Sequence, residues 1–279
     1  MKKKGHAIAK LMRLHKPVGF ILLLLPGLMT LSLSKSLLTS TTVILVSGAF
    51  LTRSLGCIIN DICDRDIDGY VARTHQRPLA SGDLSLNEAY ITCATLALAS
   101  LYLATYIPAE CFLWILFTAF MICIYPLSKR FFAFPQVILG LTFGQCVFLT
   151  AFLNKASITP EIFALYCAIC FWVIAFDTVY ALCDYDDDKK LNIFSTVKTL
   201  GVNNAKVFSI VLHGFSQSII TILSFSQEFS TTKLLLNLLS WAVYYHISLE
   251  TYSIKNLKLA IQLFNKHILI GALWILLLA

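Results

Sequence analysis

The sequence predicts an all-α, multi-pass membrane protein with nine transmembrane helices around a central cavity and a cytoplasmic N-terminus. Three observations carry this expectation. Of 279 residues, 58% are hydrophobic and 13% charged, with a mean hydropathy of +0.77, which is not a soluble globular composition. The apolar residues gather into runs about as long as the ~20 residues that span a ~30 Å hydrocarbon core as helix, not into the short alternating strands of a membrane barrel. Lys and Arg, finally, collect on alternate connections.

The runs fall near 17–34, 41–60, 88–106, 110–127, 134–153, 161–182, 204–224, 232–252 and 265–279. The last is short and the eighth is interrupted by polar groups. With the N-terminus inside, one face receives Lys2, Lys3, Lys4, Lys10, Arg13, Lys16, Arg65, Arg73, Arg77, Lys129, Arg130, Lys189, Lys190, Lys198, Lys206, Lys255, Lys258 and Lys266. The other receives Lys35, Lys155 and Lys233, and Arg53 stays inside a span. The net charge of +7 is then topology and attraction to a lipid surface, with no nucleic-acid footprint. The basic lead and full-length first run read as a membrane helix, not a cleaved leader. With no Arg/Ser-rich transit stretch, a bacterial inner (plasma) membrane is expected.

The nine cysteines, Cys57, Cys63, Cys93, Cys111, Cys123, Cys146, Cys167, Cys170 and Cys183, are odd in number and mostly intramembrane. They read as small apolar fillers, including the Cys167-x-x-Cys170 pair, which lacks a partner pair.

Residues 1–279 form one domain. Its external connections are short, whereas two internal loops, about 61–87 and 183–203, are long, and long loops tend to carry function. Eight of the fifteen acidic residues lie in two clusters there, Asn60-Asp61-Ile62-Cys63-Asp64-Arg65-Asp66-Ile67-Asp68 and Asp184-Tyr185-Asp186-Asp187-Asp188. Each contains Asp-x-x-x-Asp, as Asp64/Asp68 and Asp184/Asp188, at an offset of 120 residues that also aligns Asn60 with Tyr180. This is a weak internal duplication. Continued as helix, i and i+4 place both carboxylates of a pair on one face, where like charges repel unless a cation joins them.

Asp64-x-Asp66-x-Asp68-Gly69 imitates the start of an EF-hand loop, but His75 stands where the bidentate Glu belongs. An acidic loop is by itself a solvated surface. Two with the same spacing on one side, flanked by Arg65, Arg73 and Arg77 and by Lys189, Lys190 and Lys198, point instead to phosphate bridged by a divalent cation. Arg53 lies about 10 Å deeper than Asn60 along the same helix. It either snorkels, joins an internal ion pair, or counters an anionic substrate. Asp177, seven residues before Asp184, pairs with Arg53 or with substrate. Tyr125 and Lys129, ending the fourth span, are interface anchors or a third wall of the phosphate site.

These residues resemble the UbiA-type intramembrane aromatic prenyltransferases over nearly the whole chain. Asn60, Asp61, Asp64 and Asp68 fit that family's Asn-Asp-x-x-Asp-x-x-x-Asp, Asp184 and Asp188 its second Asp-x-x-x-Asp, and Tyr125 and Lys129 its Tyr-x-x-x-Lys. Further stretches are similar to the members that prenylate 4-hydroxybenzoate in ubiquinone synthesis: Leu11-Met12-Arg13-Leu14-His15-Lys16-Pro17-Val18-Gly19, Arg53-x-x-Gly56-Cys57, Arg73-Thr74-x-x-Arg77-Pro78-Leu79 and Phe176-Asp177-Thr178-x-Tyr180. Departures such as Phe176 and Cys183 are at non-acidic positions.

The resemblance implies an enzyme that transfers a polyprenyl group from its diphosphate to the ring of an aromatic acid, with the active site facing the cytoplasm. It implies Mg²⁺ at Asp64, Asp68, Asp184 and Asp188, with Asn60 and Asp61 assisting. Arg65, Arg77, Lys129, Tyr125, Arg13 and Lys198 are then expected around the diphosphate, and Tyr180 at the substrate. Arg53 is expected to take the aromatic carboxylate, and Asp177 or Asp184 to polarise the phenol. Alternatives within the family use homogentisate, a dihydroxynaphthoate or haem as acceptor. A transporter of cations or phosphate compounds would place its ionisable groups near the midplane of inverted repeats, and a receptor would leave both Asp pairs unexplained.

Overall fold

A computed structural model of the chain describes residues 2–36, 39–191, 193–254 and 257–279. Lys255, counted above among the internal charges, lies outside the described residues, as do the side chains of Lys2 and Lys258. Among the described residues the fold is entirely helical: α1 Lys2–Leu11, α2 Val18–Leu33, α3 Thr39–Cys63, α4 Arg65–Asp68, α5 Leu86–Ala104, α6 Phe112–Ser128, α7 Pro135–Leu153, α8 Pro160–Ala181, α9 Tyr185–Lys190, α10 Thr196–Leu200, α11 Val202–Gln227, α12 Thr231–Ser253 and α13 Leu257–Leu278. A helix stands at each of the nine apolar runs. By length and composition, α3, α6, α7, α8, α11 and α13 suffice to cross a membrane, while α2 is apolar but only 16 residues long. The more polar α5 and α12 fall outside that set.

Local chemistry sets the ends. Ser85 and Glu88 form a reciprocal capping box at α5, satisfying two otherwise orphaned donors. Thr159 caps α8 ahead of Pro160, Ser230 caps α12, and Pro135 opens α7, where a missing N–H costs nothing.

Two elements differ from expectation. The basic lead is a helix, α1, whose Ala7 and Leu11 bury against Ile58, Leu79, Leu84 and Ala89 while Lys3 and Lys4 stay exposed. The last helix begins at Leu257, not near 265. Its polar residues find partners on neighbouring helices: Lys266 pairs with Glu250 of α12 at 2.6 Å, and His267 Nδ1 accepts from Trp172 Nε1 of α8 at 2.9 Å. Lys266, expected within the last apolar run, lies in α13.

Most successive long helices pack on one another, except that α5 and α6 each lie against α3, and α13 returns to α2. The main core centres on α8, whose Leu165, Ile169, Trp172, Val173 and Phe176 are almost fully buried. Between α7 and α8, Gly140 and Gly144 leave the space. A Cβ at Gly140 would stand 2.9 Å from the Cys170 carbonyl oxygen, and one at Gly144 2.9 Å from Cys170 Sγ. Small residues four apart are how membrane helices approach closely. All nine cysteines are free, and Cys170 fills this seam. Leu113, Phe120, Leu98, Leu101 and Ile222 remain exposed on the outside, as a lipid-facing surface requires.

Candidate active site

Each Asp-x-x-x-Asp begins where a long helix stops. α3 ends at Cys63, and Asp64 adopts φ −96°, ψ 6° before the single turn α4. α8 ends at Ala181, and Asp184 adopts φ −107°, ψ 2° before α9. The expected continuous helix is thus broken at the first aspartate of each pair. The spacing survives because Asp68 N donates to Asp64 O at 2.8 Å and Asp188 N to Asp184 O at 2.7 Å. The matching backbone angles are the structural counterpart of the 120-residue repeat.

The two turns meet through the first loop. Arg73 donates from Nε and Nη2 to both oxygens of Asp184, at 2.8 and 2.5 Å, and from Nη1 to the Tyr180 hydroxyl at 3.0 Å. Its guanidinium also lies over the Tyr180 ring, 5.1 Å from the centroid. Beside it, Ala72 N donates to Asp187 Oδ2 at 3.0 Å. The second loop is fastened to α6 and α7 as well. Phe194 N donates to the Lys129 carbonyl at 2.8 Å, and the buried Gln136 Oε1 accepts from Thr196 N and Oγ1 at 3.0 and 2.7 Å.

Every predicted residue can now be placed. Lys129 Nζ reaches Asn60 Oδ1 at 3.3 Å and Asp64 Oδ2 at 3.4 Å, and lies over the Tyr125 ring. Tyr125 donates to Asp177 Oδ2 at 3.4 Å. Arg77 holds Asp68 at 2.7 Å and Asp61 at 3.1 Å. Both carboxylate oxygens of Asp61, its side chain only 1% exposed, also accept from the one nitrogen Arg13 Nη2, at 2.6 and 2.9 Å. Asp61 anchors two cations, Arg13 and Arg77. Lys198 lies over Phe194 at 5.5 Å. Arg53 is within electrostatic reach of Tyr125 and Asp177. Of the two alternatives for Asp177, the ion pair with Arg53 is not formed among the described residues, and Arg53 Nε is buried with no hydrogen-bond partner.

Arg65 is not brought to the site. It pairs with the largely exposed Asp66 at 3.0 Å, because the single turn of α4 directs Asp68 inward and leaves Arg65 and Asp66 outside. Sequence reasoning noted Arg73 as a neighbouring charge but missed it as a site residue, and missed Asp187 and Gln136 as the ties between loops. A signal for Arg73 was its place four residues before Arg77, which brings both guanidiniums to one side of a turn.

Burial raises the Asp68 carboxyl above its usual range against the pull of Arg77. Burial, reinforced by the neighbouring Asp184 charge, pushes Asp188 up to about 6, with Ser195, Lys129 and Arg73 opposing. Thus Asp64, Asp68 and Asp184 each hold a protein cation, while Asp188 carries its charge at a cost.

The donor set around these turns is carboxylate and amide oxygen, hard ligands suited to Mg²⁺. Among the described residues no three His, Cys, Asp or Glu side chains converge on one point.

Residues 20–270 match the UbiA prenyltransferase family. The chain belongs to that family. This UbiA-family chain is 38% identical over 193 residues to a 4-hydroxybenzoate octaprenyltransferase from Legionella pneumophila (strain Lens), covering 68% of each chain. Its fold is that of a UbiA homologue from Aeropyrum pernix K1, with a TM-score of 0.78 and 22% identity, over 92% of this chain and 94% of that one. It is also that of a UbiA homologue from Archaeoglobus fulgidus bound to DMAPP and Mg²⁺, with a TM-score of 0.75 and 21% identity, over 97% of both.

Proposed function

We propose that this UbiA-family enzyme transfers a polyprenyl group from its diphosphate to the ring of 4-hydroxybenzoate, in ubiquinone synthesis, with Mg²⁺ as cofactor. The observation that carries this reading is the meeting of two Asp-x-x-x-Asp turns with Arg73, Arg77 and Lys129, together with a buried guanidinium nitrogen without a hydrogen-bond partner at Arg53, which interacts electrostatically with Tyr125 and Asp177. The first group suits a diphosphate and the second an aromatic carboxylate. The name of the Legionella relative and the ligands of the Archaeoglobus homologue support the same pairing of substrates.

Asp64, Asp68, Asp184 and Asp188 would hold Mg²⁺, which would supply Lewis-acid withdrawal of charge from the leaving group. Arg73, Arg77 and Lys129 leave their carboxylates for phosphate oxygens, with Asn60 and Tyr125 donating beside them. Asp61 and Arg13 position Arg77, and Tyr180 positions Arg73. Lys198 closes the second loop over the site. The allylic C–O bond breaks with its electron pair going to the diphosphate, an electrostatically stabilised separation of charge. The ring carbon ortho to the hydroxyl then bonds to the allylic carbon, and the ring loses a proton. Asp177, bridged by Tyr125, polarises the phenol, while Arg53 holds the carboxylate. The surrounding helices exclude the water that would capture the cation. Nine crossings of a bacterial inner membrane, with the N-terminus and both Asp turns at the cytoplasmic face, complete the proposal.

The test is an assay of membranes with Mg²⁺, a polyprenyl diphosphate and a panel of aromatic acceptors. Prenylated 4-hydroxybenzoate is the expected product. Turnover of homogentisate or a dihydroxynaphthoate with none of 4-hydroxybenzoate would overturn the acceptor.

A further inference from the structure

A guanidinium within a membrane domain is held charged at any accessible pH and is expensive to insert. Among the described residues Arg53 has no ion-pair partner and no hydrogen bond, and its Nε is sealed from solvent. What holds its position is shape. On the facing helix α2, a Cβ built at Gly19 would stand 2.6 Å from both Nε and Cζ of Arg53. Real Cβ atoms do not approach so closely, so the guanidinium lies on bare backbone. Gly19 is buried, and its helical backbone has no left-handed angle that would demand glycine. The requirement at this position is space for one side chain.

The obstacle a methyl group would meet is the tip of a flexible side chain, not backbone. A larger residue at 19 therefore displaces Arg53 and leaves α2 packed on α3. The five N–H donors of a guanidinium sit in a fixed plane that matches a carboxylate in two-pronged geometry. Moving that plane by a methyl radius breaks the match, because such pairs depend on direction as well as charge.

We propose that Gly19 is a positioning residue for the acceptor. By leaving α2 bare it sets the depth and tilt of Arg53, and so selects planar aromatic acids whose carboxylate lies at a fixed distance from the prenylated ring carbon. This rests on Arg53 being the carboxylate-binding group, as proposed above.

The experiment measures KM for 4-hydroxybenzoate and for the prenyl diphosphate in Gly19→Ala, Arg53→Ala and the double variant, with thermal unfolding of each in detergent. Gly19→Ala is expected to raise the acid KM about tenfold or more, the cost of a lost charge-assisted bond. Its diphosphate KM and unfolding temperature stay at the original values. In the Arg53→Ala background Gly19→Ala is expected to change nothing, which a merely structural role would not produce. If Arg53→Ala leaves the acid KM unchanged, the reading of Arg53 falls and this inference with it. If Arg53→Ala raises the acid KM but Gly19→Ala does not, or adds the same penalty in both backgrounds, only the positioning role is overturned. Failure of Gly19→Ala to fold beside a folded Arg53→Ala overturns it too, since the methyl would then be displacing a helix.

Discussion

Arg73 grips Asp184 with two parallel bonds, Nε at 2.8 Å and Nη2 at 2.5 Å, while the third guanidinium nitrogen reaches Tyr180. One side chain thereby ties the first acidic loop to the second and to the end of α8. A two-pronged pair fixes direction as well as distance. The relative placement of the two Asp turns is thus set before any substrate arrives.

Arg73→Lys keeps the charge but replaces the planar fork with a point charge. It is expected to lower kcat/KM for the prenyl diphosphate by about tenfold to a hundredfold, the size of one or two charge-assisted bonds. The acid KM stays unchanged. Steady-state kinetics with each substrate varied in turn checks this, and a variant with undiminished kcat/KM would show that Arg73 serves neither loop placement nor the diphosphate.

Asp64→Asn preserves size and hydrogen bonding to Lys129 and Asn60 but removes the negative charge. If Asp64 is a Mg²⁺ ligand, activity falls at least a hundredfold, about 2.7 kcal/mol of transition-state stabilisation. The Mg²⁺ concentration for half-maximal rate rises as well. A chelator is expected to abolish activity of the unaltered enzyme, and added Mg²⁺ to restore it. An unchanged Mg²⁺ titration in Asp64→Asn would remove Asp64 from the ligand set.

Much of this site was legible in the chain because its chemistry repeats. The pairs Asp64/Asp68 and Asp184/Asp188 recur at one spacing, and their backbones break in the same way, with φ −96° and −107° at the first residue. The residues that tie the halves together do not repeat. Arg73, Asp187 and Gln136 act across more than 50 residues of sequence, and no local pattern announces which carboxylate a given cation will reach. Arg65 was misplaced for a related reason. Side-chain direction in the single turn of α4 is a tertiary fact. The short α1 left a trace in Ala7 and Leu11, four residues apart, but its lysines read as a membrane-surface lead.

Gln136 tests the second loop. Its Oε1 accepts two bonds from Thr196 in a fully buried setting, next to the Ser195 cap of α10. Gln136→Ala leaves both donors unsatisfied, which costs about 2–3 kcal/mol. Thermal unfolding in detergent is expected to show the loss, and the Mg²⁺-dependent rate to fall because Ser195 stands beside Asp188. An unfolding midpoint equal to the original would mean that water replaces the amide.

Arg65 supplies a negative control. Its partner Asp66 is largely exposed, and surface pairs of this kind contribute about 0–1 kcal/mol. Arg65→Ala is expected to keep kcat/KM for both substrates within about twofold. A tenfold loss for the diphosphate would return Arg65 to the site and require α4 to rotate on substrate binding.

The close approach of α7 to α8 underlies the whole arrangement, because α8 carries Asp177, Tyr180 and the start of the second turn. A Cβ at Gly140 would stand 2.9 Å from the Cys170 carbonyl oxygen and 2.8 Å from Ile174 Cγ1. The carbonyl is backbone and cannot swing away, so Gly140→Val forces the helices apart. Overpacking of this kind costs about 1–3 kcal/mol. The same change of backbone entropy without the clash is available at Gly56, where the nearest atom to a built Cβ is Ile122 Cγ2 at 3.7 Å. Gly56→Ala is therefore expected to be neutral or to gain up to about 1 kcal/mol from helix propensity, while Gly140→Val lowers the unfolding midpoint and the rate together. Equal behaviour of the two variants in detergent would show that the α7–α8 contact does not limit stability.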